Sequence, residues 1–482
     1  MFDLMYRKFY LLVIAYLIKL KEAQKASLAF IFASIFQQGI SFLITPFFAR
    51  MLSVEEFGLV SVYNSLVDII GPVAMLSLSA GIFNVGMVDF ENSKNYFMSA
   101  LLGLSNIATI LTMGIVYIID VLNPSIIGLP KSLIELMFLY FLFYPAVRFW
   151  SARQRFELKY KYLTLLTLTI AVLAPTIGLC AVLWGNGNLG VLRLWGTNSI
   201  LILFGVALHF KIVCDGKKVF DKHIWKYAIT FSLPLIPHYL SMYILASSDK
   251  VMIRELSGIY EAGLYGLAYT ASMIINVVWS SIQGSLTPYV YDKLKKNQLH
   301  KISEVASKCI VGFSIVCLLA NLVAPEFMII LGGEKYLNSV PILPPLISST
   351  LFMAMYNLFS MIEFYYKKTI RIMLATSFAA FINIVFNYLA IPVFGYVSAA
   401  YTTLLCYILY CIFHYLNMKS IEPRRIYDLR FLAMLSIIFI ILSLSSVLIY
   451  PYALVRYGIV GLVMVIAIYN RKKINVFATT RK

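Results

Sequence analysis

The sequence predicts an all-α polytopic membrane protein with about 14 transmembrane helices. Three observations predict it. Of 482 residues, 61% are apolar and only 13% are charged, about half the charged share of a soluble chain. Mean hydropathy is +0.84, so too few charges exist to cover a water-facing surface. The apolar residues gather into long runs, each close to the roughly 20 residues that cross about 30 Å of hydrocarbon. The runs lack two-residue alternation, and backbone in lipid must satisfy its own hydrogen bonds, so each run is a helix. The same composition excludes a disordered chain, a collagen-like repeat and a disulfide-rich secreted module.

The first apolar stretch, Phe9–Ile18, is too short to span. No small-residue cleavage site precedes the basic run Lys19–Lys25, so residues 1–25 read as an interfacial N-terminal helix rather than a signal peptide. Spans follow at 26–48 (closed by Arg50), 58–83 (opened after Ser53-Val-Glu-Glu56), 96–119 (after Lys94) and 132–149 (between Lys131 and the basic run Arg148–Lys161). Next come 162–184, 190–209 (ended by the basic run from Lys211), 226–247 (ended by Asp249-Lys250) and 263–286 (ended by the run from Lys293). The remainder are 306–331, 339–364 (before Lys367), 370–390, 395–416 (before Lys419), 430–450 and 453–469. Only a short turn around Pro451 parts the last two. The six cysteines lie in or beside apolar segments with no CxxC pair, which implies neither a disulfide framework nor a metal site.

Charge orients these spans. With the N-terminus inside, 33 of the 40 Lys and Arg fall on the cytoplasmic side. The seven outside are Arg50, Lys131, Arg193, Lys250, Arg254, Lys335 and Arg456. That asymmetry is the positive-inside signature, and basic ends on both termini require an even span count. The net charge of +18 therefore speaks of anionic lipid headgroups and not of nucleic acid.

A faint repeat links the halves. Ser53-Val-Glu-Glu-Phe-Gly-Leu59 opens the second span and Gly258-Ile-Tyr-Glu-Ala-Gly-Leu264 the eighth. Glu56 matches Glu261, Gly58 matches Gly263 and, upstream, Arg50 matches Lys250. Copies six spans apart run in the same direction, which suggests two parallel six-helix lobes. The expected division is 26–225 and 226–420, with 421–482 forming a C-terminal helix pair and a basic tail.

No Walker A, HExxH or paired Cys/His motif is present. Short outer turns leave little room for a catalytic loop, and neither an enzyme activity nor a cofactor is expected. Polar residues instead form stripes on single helix faces: Ser34, Gln38, Ser41 and Thr45 on the first span, and Thr230, Pro234, His238 and Ser241 on the seventh. The eighth carries Tyr269, Ser272, Asn276, Ser280 and Gln283, and the tenth Ser349, Tyr356, Ser360 and Glu363. Such a face either bonds a neighbouring helix or lines a wet cavity. Asp68, one turn after Asn64, sits mid-span, where a charge costs about 2.5–3.5 kcal/mol on insertion scales. It is either a protonatable coupling group or a carboxylate holding a cation. Arg50, Asp249, Lys250 and Arg254 cluster at outer helix ends, and Arg148 ends the fourth span. These cations either anchor to headgroups or bind an anionic substrate. His209, His238 and His414 read as hydrogen-bonded helix residues.

The turn Ala49-Arg-Met-Leu-Ser-Val-Glu-Glu-Phe-Gly58 resembles the signature after the first helix of bacterial repeat-unit flippases. These are the O-antigen and capsule exporters of the polysaccharide transporter family, within the MOP exporter superfamily. Asp249-Lys-Val-Met-Ile with Glu261-Ala-Gly-Leu-Tyr265, Pro325 with Gly333 and Tyr336, and Pro392-Val-Phe-Gly-Tyr-Val-Ser-Ala-Ala400 extend the resemblance over most of the chain. Val60 stands where Tyr is common and Ser398 where Gly is usual. The resemblance implies a flippase for an undecaprenyl-diphosphate-linked oligosaccharide, working by alternating access around a central cationic cavity. Arg50 and Lys250 would hold the diphosphate, with Arg254 and Arg148 as further candidates. Gln38, Asn64, Asn276 and Gln283 would line the sugar path, and Asp68 and Asp249 would orient the cations or couple to H+ or Na+. Both termini would be cytoplasmic, with membrane lipids, a polymerase and chain-length factors as partners. Alternatives are a peptidoglycan-precursor flippase, a drug/cation antiporter of the same superfamily, and a polytopic glycosyltransferase or polymerase.

Overall fold

Residues 22–469 are described by the structure, a computed structural model. The N-terminal helix expected over Phe9–Ile18 and the basic tail after residue 469 lie outside them. Every regular element among the described residues is a helix. In order, the α-helices of eight or more residues are α1 (Glu22–Met51), α2 (Val54–Ala74), α3 (Ile82–Asp89), α4 (Lys94–Leu122), α5 (Lys131–Phe156), α6 (Tyr160–Trp184) and α7 (Leu189–Gly216). Then come α8 (Lys222–Ser232), α9 (Ile236–Leu256), α10 (Ile259–Lys295), α11 (Leu299–Leu322) and α12 (Ala324–Gly332). The last are α13 (Leu343–Tyr365), α14 (Thr369–Phe394), α15 (Ser398–Ile421), α16 (Leu429–Ile449) and α17 (Ala453–Tyr469). Thirteen helical stretches among the described residues are long and apolar enough to cross a membrane. The seventh runs through α8, a 3-10 turn at Leu233–Leu235 and α9. The fourteenth expected span, α17, is a shorter apolar helix of 17 residues. The chain is an all-α polytopic membrane protein.

Two expected spans end early. The second stops at Ala74 rather than 83, and the chain turns through left-handed residues Leu76 and Ser77. The ninth stops at Leu322, not 331, and Pro325 starts the separate helix α12. Proline in a first turn suits a helix start and not a helix interior.

The described chain falls into two compact units. The first holds the segment ending at Thr45 together with Ile70–Ile236, and the second holds Pro46–Ile69 together with everything from Pro237. The segment Pro46–Ile69, assigned above to the first lobe, thus groups with the second unit. In the first unit, Phe83, Phe97, Leu101, Phe149 and Ile212 form a dry core. Trp225 donates to the Ala100 carbonyl at 2.8 Å, and the Tyr96 hydroxyl donates to Asp221 at 2.5 Å. Asp221 also caps α8 by accepting from the Ile224 N–H at 2.8 Å. The Tyr96 hydrogen bond comes first, and then the cap, in holding the Asp221 carboxyl below its ordinary range.

In the second unit the helices are built inside-out. On α16 the buried residues are Leu432, Ser436, Phe439, Ser443 and Ser446, while Ile437, Ile441 and Leu448 are exposed. On α14, Ala375, Ala379, Asn383 and Asn387 face inward and Phe378, Phe381 and Leu389 outward. Lipid is as apolar as leucine, so small and hydrogen-bonding residues are the ones that gain from contact between helices. Ser443 illustrates it: it accepts from Asn321 at 2.7 Å and Ser348 at 2.8 Å, and donates to the Pro344 carbonyl at 3.2 Å.

Candidate functional site

The second unit buries a polar cluster where α9, α10, α14 and α15 meet. Four consecutive residues of α9, Ser247, Ser248, Asp249 and Lys250, are all buried. Three steps along a helix sweep about 300°, so α9 is enclosed on nearly every side at this level. Asp249, only 1% exposed, is the hub. Its Oδ2 accepts from the Tyr265 hydroxyl at 2.6 Å and from Thr403 Oγ1 at 2.7 Å, and its Oδ1 from Asn387 Nδ2 at 2.6 Å. Asn387 also accepts from Thr402 and donates to Asn383 Oδ1 at 3.3 Å. Ser248 donates to the same Asn383 oxygen at 3.0 Å. A carboxylate in low dielectric persists only when such donors and a nearby cation replace its water. Lys250 provides the cation. Its ammonium lies 4.0 Å from the Tyr269 ring centroid and feels the charges of both Asp249 and Asp68. Asp68 in turn accepts from Ser247 at 3.1 Å.

Three of the expected charged residues, Asp68, Asp249 and Lys250, therefore share one site. With both carboxylates ionised, it carries one negative charge in excess. Arg50 is elsewhere in this unit: its Nη2 donates to the carbonyls of Ile330 at 2.9 Å and Ile329 at 3.4 Å, at the C-terminal end of α12. Lys335 returns the arrangement by donating to the Arg50 carbonyl at 3.2 Å and the Leu52 carbonyl at 2.5 Å. Each cation thus sits on the negative end of a helix dipole. Although matched in the repeat, Arg50 and Lys250 occupy different surroundings.

The other candidates are dispersed. Arg254 pairs with its neighbour Glu255. Arg148, in the first unit, lies 5.7 Å from the Tyr144 ring centroid. Gln38 in the first unit and Asn64 in the second are exposed. Asn276 donates to the Met273 sulfur at 3.0 Å, and its buried Oδ1 has no hydrogen-bond partner among the described residues. Gln283 is half-buried, and its backbone carbonyl accepts from Thr287 Oγ1 at 3.0 Å.

Sequence reading overlooked Asn383, Asn387, Thr402 and Thr403. A signal existed: two Asn four residues apart in an apolar helix put two amides on one face. A second buried pair joins α13 to α15. His414 Nδ1 lies 2.8 Å from Glu363 Oε1, with both side chains fully buried. His414 is a hydrogen-bonded helix residue as expected, and its ring stacks on Tyr356 at 5.4 Å. His209 lies 3.5 Å from the Asn106 amide, whereas the buried Nδ1 of His238 has no hydrogen-bond partner among the described residues.

The fold has known counterparts. The structure of lipid II flippase MurJ in an inward closed conformation covers 93% of this chain and 100% of its own, with a TM-score of 0.64 at 16% identity. An inward-facing multidrug resistance MATE transporter of the MOP superfamily covers 80% of this chain and 96% of its own, with a TM-score of 0.56 at 13% identity. In sequence, a protein of the Lsg locus of Haemophilus influenzae is 21% identical over 291 residues, 58% of this chain and 69% of that protein. The profile of the polysaccharide biosynthesis protein family matches residues 24–292, more than half of the chain. The chain accordingly belongs to the polysaccharide biosynthesis protein family.

Proposed function

We propose that the chain flips an undecaprenyl-diphosphate-linked oligosaccharide repeat unit from the cytoplasmic to the outer leaflet of the cytoplasmic membrane, by alternating access, for O-antigen or capsule assembly. One observation carries the reading: membrane-spanning helices bury Lys250 over the Tyr269 ring, next in sequence to the buried Asp249, with Asp68 bonded to Ser247 of the same helix. A diphosphate and its sugars do not cross hydrocarbon unaided. A fixed cation on a spanning helix compensates the diphosphate charge while the polyprenyl tail stays in lipid. No covalent step is needed.

The same charges argue for coupling. While both carboxylates are ionised, Lys250 is already over-compensated, and a diphosphate there meets repulsion. Uptake of H+ or Na+ by Asp68 or Asp249 removes a negative charge and frees Lys250 for the phosphate. Loss of that ion returns Lys250 to its carboxylates and expels the cargo. Arg50 then serves as an outer-end contact, Arg254 and Arg148 as secondary cations, and Gln38, Asn64, Asn276 and Gln283 as hydrogen-bonding groups along the sugar path. Both termini are cytoplasmic in this reading, and a polymerase and chain-length factors act downstream.

The test is a strain lacking the gene. It should accumulate lipid-linked repeat units on the inner leaflet, and the intact chain should clear them. Lys250→Met should fail to clear them despite normal membrane levels. Clearance by Lys250→Met at the parental rate would overturn the assignment. Sugar transfer by the purified chain to a lipid acceptor would instead favour an enzyme.

A further inference from the structure

Where α15 passes into α16, residues of both helices and of the loop between them line an open-sided cavity of about 400 Å³, within the range of small-molecule sites. Four cations line it: Lys419 from the last turn of α15, Arg424 and Arg425 from the loop, and Arg430 from the start of α16. One carboxylate, Glu422, lines it as well. The four cations are not equivalent. Arg424 grips Glu422 with two bonds of 2.7 Å, and Tyr366 donates to the same carboxylate at 2.6 Å. Arg425 pairs with Asp428 at 2.7 Å. The side chains of Lys419 and Arg430 make no ion pair or hydrogen bond among the described residues, though both border the cavity. Two arginines are thus committed to the loop's shape, and two cations are left to face a ligand.

The ligand's character follows from the rest of the lining. Tyr415, Met418 and Leu429 share the cavity with the cations. A wall that is cationic on one part and apolar on another fits an amphiphile better than a free anion. The loop also joins two membrane-spanning helices, Ser398–Ile421 and Leu429–Ile449, so it lies within a few residues of a bilayer surface. We infer that this cavity binds the phosphate headgroup of an anionic phospholipid, held by Lys419 and Arg430 with the upper acyl chain against Tyr415 and Leu429.

The test uses the purified full chain in neutral detergent and follows thermal melting against added lipid. Dioctanoyl phosphatidylglycerol should raise the melting temperature saturably, and dioctanoyl phosphatidylcholine should not. The double variant Lys419→Gln/Arg430→Gln should bind phosphatidylglycerol about 30-fold more weakly, roughly fivefold for each cation removed near a membrane surface. The charge-retaining pair Lys419→Arg/Arg430→Lys should restore binding. A control with the same loss of charge, Lys218→Gln/Lys222→Gln, should bind as the parent does. Equal shifts with phosphatidylcholine would overturn the headgroup assignment. Inorganic phosphate matching phosphatidylglycerol at equal concentration would mean a free-anion site and refute the lipid. Equal weakening in the control would reduce the effect to diffuse surface charge and sink the site.

Discussion

Alanine at Gly58 should destabilise the second unit, and the geometry says by how much. Gly58 on α2 and Gly263 on α10, paired by the repeat, are the contact at which these two helices cross. A Cβ built on Gly58 lies 2.2 Å from the Ile259 carbonyl oxygen and 3.0 Å from the Gly263 nitrogen. One on Gly263 lies 2.0 Å from the Val54 carbonyl oxygen. Real Cβ atoms keep about 3.0 Å, so either alanine must push the helices apart by roughly 0.8–1.0 Å. The obstacles are backbone atoms, which no rotamer change can move. Overpacking of this kind costs about 1–3 kcal/mol. For a domain of 150–250 residues that corresponds to a fall of roughly 2–12 °C in Tm. Gly39 and Gly114 are the internal controls, because a Cβ on either meets nothing within 4 Å. Alanine there should be neutral or stabilising by up to about 1 kcal/mol. The assay is the melting of each purified variant in one detergent, followed by monodispersity on size-exclusion chromatography. A Gly58→Ala or Gly263→Ala protein that melts at or above the parent would refute the close crossing.

Three further outcomes are expected. Asp249→Asn should lower stability by about 1–3 kcal/mol, since its amide nitrogen would meet the Tyr265, Thr403 and Asn387 donors in a buried site; its cost should depend on Lys250, and additivity with Lys250→Met in a double-mutant cycle would show that the two do not interact. Arg50→Ala should stop export yet cost no more than about 1 kcal/mol, the scale of a cation at a helix C-terminus; Arg50→Lys should keep most of the stability, and normal export by Arg50→Ala would remove Arg50 from the transport path. Arg456 holds Glu326 with bonds of 2.7 Å to each carboxylate oxygen and, as the main cause, brings its carboxyl down to about 2 from 4.5. A depressed carboxylate stabilises fully above its unfolded value and loses that as pH falls through the folded one, so the contribution should disappear between about 4.5 and 2. Melting curves of the parent and Arg456→Met should therefore differ at pH 7 and converge near pH 2, and parallel curves across that window would contradict the pairing.

Thirteen of the fourteen expected spans, and their order, were legible in the sequence, because insertion into lipid depends on local hydrophobicity summed over about 20 residues. The places where local reading failed are instructive. Pro325 opens a new helix inside a continuous apolar run, and hydropathy does not register where a helix restarts. Glycines in the repeat could be aligned, but not recognised as a contact. Ser53 and Glu56 are a reciprocal cap, with Glu56 Oε2 accepting from the Ser53 N–H at 2.9 Å and Ser53 Oγ accepting from the Glu56 N–H at 3.1 Å. That cap starts α2 at Val54, and so sets which face of α2 presents Gly58 to α10.

What the sequence alone determined is the solvent of this protein: a chain this apolar, with so few charges, folds as spanning helices whatever their arrangement. It also picked out Asp68, Asp249 and Lys250, since an ionisable group is rare in such helices. Only the tertiary structure decided which partners they have. Asp249 is held by donors from α10, α14 and α15, the most distant of them 154 residues away in the chain, and no local pattern encodes a meeting of helices that far apart. Arg50 and Lys250 match in sequence, yet one rests on helix-end carbonyls and the other lies buried over a tyrosine ring. A residue's charge is fixed by its identity, but the cost of that charge depends on the atoms that replace its water, and those are supplied by the fold.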